Sequence, residues 1–246
     1  MPITKKDRAI ILKTIDHGES DKIVTLITVQ HGKINAIAKG ARRSKKRFLN
    51  ALEPFTCLSV VMAQTRPSSM HRIDSASINN SFSEIRNSYN DYLMASLCCE
   101  LTSLWTREAD RCSEIFHLLH WYLVNLTRFT QHVNITLFFK IQLLNLSGTG
   151  IQCDRCIKCG SGIPERPEWS FAPDQGGFFC NHCHSTPAPL GRDIPLLLKH
   201  IAGSPKEKLN RLRINEWQSK VTWHILRDMH CHQLGREPAS YKLITL

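Results

Sequence analysis

Four cysteines fall into two pairs, Cys156-Ile157-Lys158-Cys159 and Cys180-Asn181-His182-Cys183, separated by twenty residues. A C-x2-C step is a tight turn that points two thiolates at one centre. Two such turns supply four soft ligands for a tetrahedral metal, zinc above all. The spacing commits this stretch to a small metal-clipped module. One ambiguity is built in, because Cys153-Asp154-Arg155-Cys156 is an overlapping C-x2-C step. Gly160 follows Cys159 and favours the Cys156/Cys159 pair, since glycine takes the positive φ that turns an amide toward a sulfur. Cys153 is then a spare thiol, and His182 and His184 remain possible substitute ligands. A four-thiolate site is closed, whereas catalytic zinc usually keeps three protein ligands and an open position. The expected cofactor is one structural zinc ion on Cys156, Cys159, Cys180 and Cys183.

The chain has ten cysteines in 246 residues. No apolar signal stretch follows the N-terminal Met-Pro-Ile-Thr-Lys-Lys, so reduced thiols in a cytoplasmic setting are expected. Cys57, Cys98, Cys99, Cys112 and Cys231 lie mostly in apolar stretches and read as small core residues. No run of eighteen apolar residues suggests a membrane span.

The formal net charge of +11 is unevenly spread. Residues 1–80 hold fourteen Lys/Arg and six Asp/Glu, a net of +8, and the other 166 residues carry +3. Between Asp21 and Glu53 there is no acidic side chain, while Lys22, Lys33, Lys39, Arg42, Arg43, Lys45, Lys46 and Arg47 fall there. A concentrated positive field attracts a polyanion, although a charge run is often only a solvated loop. Phe48 and Phe55 are the nearest aromatics for base stacking, and both read equally as core.

The first eighty residues supply five short strand patterns: 8–15, 22–29, 33–39, 54–63 and 70–78. Five strands in this length suggest a small closed barrel, with the basic stretch 40–50 as a loop or short helix between strands three and four. Helical periodicity then covers 82–105, a segment from about 110, and 134–146, the last apolar nearly all round with Asn134 as its cap. Helices return near 192–201 and 215–234. The expected organisation is α+β: a barrel domain over 1–80, a helical domain over 81–150 and 187–246, and an inserted cysteine segment over 151–186.

The chain lacks a phosphate-loop glycine-lysine motif, a G-x-G-x-x-G turn and an H-E-x-x-H helix. His117/His120 and His230/His232 read as partly exposed histidines, and no nucleophile stands beside a base. No catalytic residues are expected. A zinc hydrolase or deaminase would need a glutamate beside an open His/Cys site, which is missing here. A zinc-ribbon transcription or RNA-binding factor fits the same charge and cysteines and stands as the alternative to a DNA-binding protein.

Longer strings carry a resemblance. Asp16-His-Gly-Glu-Ser-Asp-Lys-Ile-Val-Thr-Leu26, Gly32-Lys33-Ile34, Ala38-Lys39-Gly40-Ala41-Arg42-Arg43, Leu52-Glu53-Pro54-Phe55, Cys156-Ile-Lys-Cys159-Gly160 and Gly176-Gly177-Phe-Phe-Cys180-Asn-His-Cys183 follow one another along the chain. In order and spacing they resemble the RecO family of bacterial DNA repair proteins. The resemblance implies an N-terminal OB-type barrel, a helical domain and a zinc segment. It implies binding of single- and double-stranded DNA and annealing of complementary strands. The implied partners are RecR, the C-terminal tail of single-stranded DNA-binding protein (SSB) and, indirectly, RecF and RecA, with no membrane. Lys39, Arg42 and Arg43 carry over from the family motif as phosphate contacts; Lys33 lies in the preceding block, and Lys45, Lys46 and Arg47 rest on charge. The extra Cys153 departs from the family pattern.

Overall fold

The computed structural model describes residues 3–44, 47–64, 70–129 and 132–245. The chain forms two compact units, Met1–Arg128 and Phe129–Leu246. In the first, β1 (Ile3–His17), β2 (Asp21–Thr28), β3 (Gly32–Ala38), β4 (Cys57–Gln64) and β5 (His71–Asn80) close a barrel in the order β1-β2-β3-β5-β4. This is the OB-type arrangement. β1 is long enough to serve two neighbours: Ile3–Ile10 pair with β4 and Ala9–His17 pair with β2. A register shift between Ile11 and Lys13 marks the irregularity in the strand. Closure comes from a short parallel contact in which Ala36 and Ile37 oppose His71 and Arg72.

The barrel interior follows from the period-2 alternation of its strands. Ala9, Ile11, Val24, Leu26, Ile34, Ala36, Leu58, Val60, Met62 and Ile73 form one buried cluster, and Phe48, Ala51 and Leu52 of the β3–β4 connection close it. Ile10 and Ile27 point to the opposite pleat and are nevertheless fully buried. The helices that follow cover that side. α1 (Ser83–Asn87) and α2 (Tyr89–Trp105) replace the single helix expected over 82–105. Ser88 is extended between them, and its hydroxyl accepts the Asp91 amide at 3.3 Å, starting α2 afresh. α2 packs on β1, α3 (Ser113–Leu126) packs on β2, and Phe55 meets Tyr92 edge-on at 5.2 Å. The apolar outer pleat of the barrel thus holds α1–α3 in its own compact unit. At the β2–β3 turn, Gly32 has φ +67, and a Cβ there would sit 1.8 Å from the Asp110 carbonyl oxygen. Only glycine allows this close approach.

The second unit is built around α4 (His132–Leu146), which is buried nearly all round, as its unbroken apolar pattern requires. Asn134 lies inside this helix and not at its cap; its amide donates to the Leu212 carbonyl at 2.9 Å. α5 (Asp193–Gly203) and α6 (Glu216–Leu234) pack against α4. Asn215 and Gln218 form a capping box on α6, and Gly235, φ 64, ends it. Lys140 is fully buried on α4, donates to the Trp223 carbonyl at 3.3 Å and lies 3.8 Å from the Trp223 ring centre. His230 is also fully buried, which corrects the expectation of a partly exposed histidine. The cysteine segment contributes β6 (Glu168–Ala172) and β7 (Gly177–Cys180) to a three-stranded sheet whose third strand, β8 (Leu190–Gly191), lies just beyond residue 186, in the order β7-β6-β8. Among the described residues no helix is long and apolar enough to cross a membrane.

Candidate nucleic-acid interface and metal centre

The basic stretch leaves β3 at Lys39 and turns at Gly40, φ +67, into a short 3-10 turn, Ala41–Arg43. Ala41 is buried and anchors the turn, while the Arg42 amide donates to the Ser20 carbonyl at 2.9 Å. The β3–β4 connection is therefore tied to the β1–β2 turn. Lys39, Arg42, Arg43 and Arg47 are exposed together on this connection. Lys45 and Lys46 lie outside the described residues.

The acid-free interval of the sequence is not acid-free in space. The β1–β2 turn brings three carboxylates to it. Arg42 Nε lies 3.5 Å from Asp16, and Arg43 lies 3.6 Å from Glu19. The Gly40 amide donates to Asp21 at 2.8 Å. That bond, the Ser20 hydroxyl and the Lys39 charge hold the Asp21 carboxyl below the usual carboxylate range. The Arg43–Glu19 pair is largely exposed, 73% and 93%, so it is weak. Arg47 reaches back to the Lys39 carbonyl and lies 4.5 Å over the Phe48 ring.

Lys33 is set apart from this group. Its ammonium donates to the Ser103 carbonyl at 2.6 Å, and burial lowers its pKa despite nearby Glu108. It braces β3 against the last turn of α2 and is not presented with the exposed cations. Phe48 and Phe55 are both core residues, 4% and 1% exposed, so neither offers a stacking face. The surface presents exposed cations without an aromatic face from either residue.

The two cysteine pairs converge as their spacing requires. The sulfurs of Cys156, Cys159, Cys180 and Cys183 all lie within 4.8 Å of one another. Cys159 and Cys180 sulfurs are 3.7 Å apart. A tetrahedral zinc with Zn–S bonds of about 2.3 Å needs sulfur separations of about 3.8 Å, so the donor set fits the ion. The β6–β7 hairpin carries the third ligand: Trp169, fully buried, opposes Cys180 in register, and Phe178 is buried beside it. The first knuckle docks on that hairpin through the Ile157 amide, which donates to the Phe178 carbonyl at 3.0 Å. The Cys180 amide donates to the Cys156 sulfur at 3.4 Å.

Gly160 has the expected positive φ, 76, but its amide donates to the Cys156 carbonyl and not to a sulfur. The Ser161 hydroxyl and amide bring the Cys159 thiol down to about 6. The hydrogen bond with Cys159, then burial, pushes Cys183 up to about 12. Contacts within the cluster thus push the Cys159 and Cys183 thiols in opposite directions. Cys153 is buried outside the cluster, its thiol pushed up to about 12 by burial. His182 pairs with Arg166 at 3.2 Å and His184 with Ser170 at 3.1 Å, so neither joins the cluster.

Sequence reasoning missed a second basic group. Lys199, His200, Lys208, Arg211 and Arg213 line one hollow in the second unit. The string Lys206-Glu-Lys-Leu-Asn-Arg-Leu-Arg213 was the available signal, hidden because the residues after position 80 are nearly charge-balanced as a whole.

Comparison with known proteins agrees with these features. Residues 1–82 match the family model Recombination protein O N terminal, and residues 86–242 match Recombination protein O C terminal. The family boundary after the barrel therefore differs from the compact-unit boundary after Arg128. The chain is 32% identical to the DNA repair protein RecO of Syntrophus aciditrophicus, covering 98% of this chain and 95% of that protein. It is 38% identical to the RecO of Myxococcus xanthus over 72% of this chain and 71% of that one. For Desulfosudis oleivorans the identity is 33%, over 96% and 95%. With its closed N-terminal barrel, helical second half and four-cysteine cluster, the chain belongs to the RecO family and has a role in DNA repair and recombination.

Proposed function

We propose that this protein is a non-enzymatic recombination mediator. It binds single- and double-stranded DNA through Lys39, Arg42, Arg43 and Arg47 of the β3–β4 connection, with Lys45 and Lys46 of the same stretch, and it anneals complementary strands. With RecR it helps RecA replace SSB on gapped DNA, meeting the SSB C-terminal tail and, indirectly, RecF, in the cytoplasm. Zinc on Cys156, Cys159, Cys180 and Cys183 is a scaffold for the β6–β7 module. The division of the chain at residues 80, 150 and 186 belongs to the same reading.

The observation that carries the reading is the exposed set Lys39, Arg42, Arg43 and Arg47 on one connection of an OB-type barrel in a DNA repair family. Cations on two bound strands lower the repulsion between them and release condensed counterions, so no covalent step is needed. The activity is measured as the annealing rate of complementary oligonucleotides across a salt titration, with RNA strands in parallel. Annealing faster than the uncatalysed rate at low salt and fading as salt rises supports the mediator. An uncatalysed rate at low salt with DNA rejects it, and a marked preference for RNA supports the zinc-ribbon RNA-binding alternative instead.

A further inference from the structure

We infer that the C-terminal unit carries its own polynucleotide-binding groove, in addition to the basic surface of the barrel. This rests on the DNA-binding reading above and adds a second strand site to it. The groove lies between the end of α5 and the 3-10 segment Lys206–Arg211, a hollow of about 810 Å³. Lys199, His200, Lys208, Arg211 and Arg213 line it, and no carboxylate does among the described residues.

Two of these five have an ordinary explanation. Lys199 and His200 sit in the last turns of α5, where the helix C-terminus favours positive charge, and Lys199 pairs with Asp154. The other three do not. Lys208, Arg211 and Arg213 are exposed, follow α5 in the chain and make no ion pair among the described residues. They are held in place from below. Leu209, fully buried between them, pins the segment. The Asn134 amide of the central helix holds the Leu212 carbonyl at 2.9 Å. Three uncompensated cations on an anchored segment are a built surface, with Leu196, 38% exposed, and Leu212 as its apolar floor.

A strand fits this chemistry better than an acidic peptide does. It presents one phosphate per nucleotide, which matches a run of cations. The two arginine forks suit phosphate oxygens, and the leucine floor suits sugars and base faces. Two footholds on one chain, one in each compact unit, also meet the requirement of annealing, that two strands be held while their charge is neutralised.

The test uses the full chain, Lys208→Glu/Arg211→Glu/Arg213→Glu, its neutral Gln counterpart, and Arg42→Glu/Arg43→Glu. Binding of a short non-complementary DNA oligonucleotide is titrated to saturation, and annealing is timed at low salt. The triple variant is expected to lose one of two bound oligonucleotides and to keep the other. Its log–log salt slope falls by about 2, at roughly 0.7 per lost phosphate contact, and annealing slows by about tenfold. The Gln variant moves the same way by less, with an unchanged melting temperature. Unchanged stoichiometry and annealing in both C-terminal variants overturns the groove while wild-type annealing leaves the mediator reading intact. A wild-type chain that neither binds nor anneals overturns the mediator reading itself. A poly-aspartate peptide that binds wild type and not the triple variant, with oligonucleotide stoichiometry unmoved, overturns the groove as a strand site and makes it a peptide site.

Discussion

Arg42 and Arg43 show how far a residue's chemistry depends on partners distant in sequence. Their own stretch contains no acid, yet Asp16 and Glu19 arrive from the β1–β2 turn. Both pairs are exposed, so each contributes at most about 1 kcal/mol to stability. Arg42→Glu with Arg43→Glu should therefore leave the melting temperature nearly unchanged. It should weaken single-strand binding and lower the salt slope by about 1. The reverse experiment is more discriminating: Asp16→Asn with Glu19→Gln frees both guanidinium groups and should tighten binding by about twofold to fivefold. Unaltered affinity in both variants would place the DNA contact elsewhere. His230 makes a different residue-scale point. Burial, reinforced by the charge of Lys140, lowers its pKa from 6.5 to about 3. The unfolded chain takes up a proton at His230 before the folded chain does, so this contribution is complete above about 6.5 and is lost as pH falls toward 3. His230→Leu should flatten that acid limb in denaturant titrations; an identical pH dependence would show that the imidazole stays neutral for no energetic reason. Nothing in the sequence around His230 marked it as buried, because its neighbours Met229, Cys231 and His232 do not reveal which face of α6 meets α4.

Elements were legible where one physical rule dominates. Short apolar and β-branched runs, with clear period-2 alternation in 33–39, disclosed all five barrel strands, and the unbroken apolar run disclosed α4 as a central helix. Boundaries were legible only where a cap is local. Asn215 with Gln218 opens α6 by a box readable in four residues, whereas Asn134, an equally good cap on paper, is consumed by Leu212 from a distant segment. The break at Ser88 was hidden for a similar reason: a capping serine inside a continuous helical period. The cysteine module was the most legible element, since ligand spacing is a geometric demand of the metal itself. Cys156→Ser with Cys183→Ser should abolish metal binding and destabilise the second unit by several kcal/mol, part of the ~10 kcal/mol a structural zinc site contributes. A chelator should reproduce that loss in the wild type and do nothing to the variant. A wild-type melting curve indifferent to metal removal would end the scaffold assignment.

At the scale of the molecule, composition separated a basic first third from the rest, and the resemblance supplied the family. It did not show that α1–α3 belong to the barrel's compact unit, because the outward burial of Ile10 and Ile27 is a property of the closed barrel and not of either strand alone. Nor did it show the C-terminal hollow, since the cations of Lys206–Arg213 vanish into a nearly balanced average. The proposed division of labour is a barrel with an exposed basic connection and a metal-clipped helical unit that carries the second strand groove, both acting by charge neutralisation. The most direct measurement of that claim is protein-promoted annealing of complementary DNA strands as a function of salt, for the wild type beside Arg42→Glu/Arg43→Glu. Rapid wild-type annealing at low salt that fades steadily as salt rises, with a shallower slope in the variant, is the predicted result. Annealing at the uncatalysed rate at every salt concentration, or an activity insensitive to both salt and the two arginines, would contradict it.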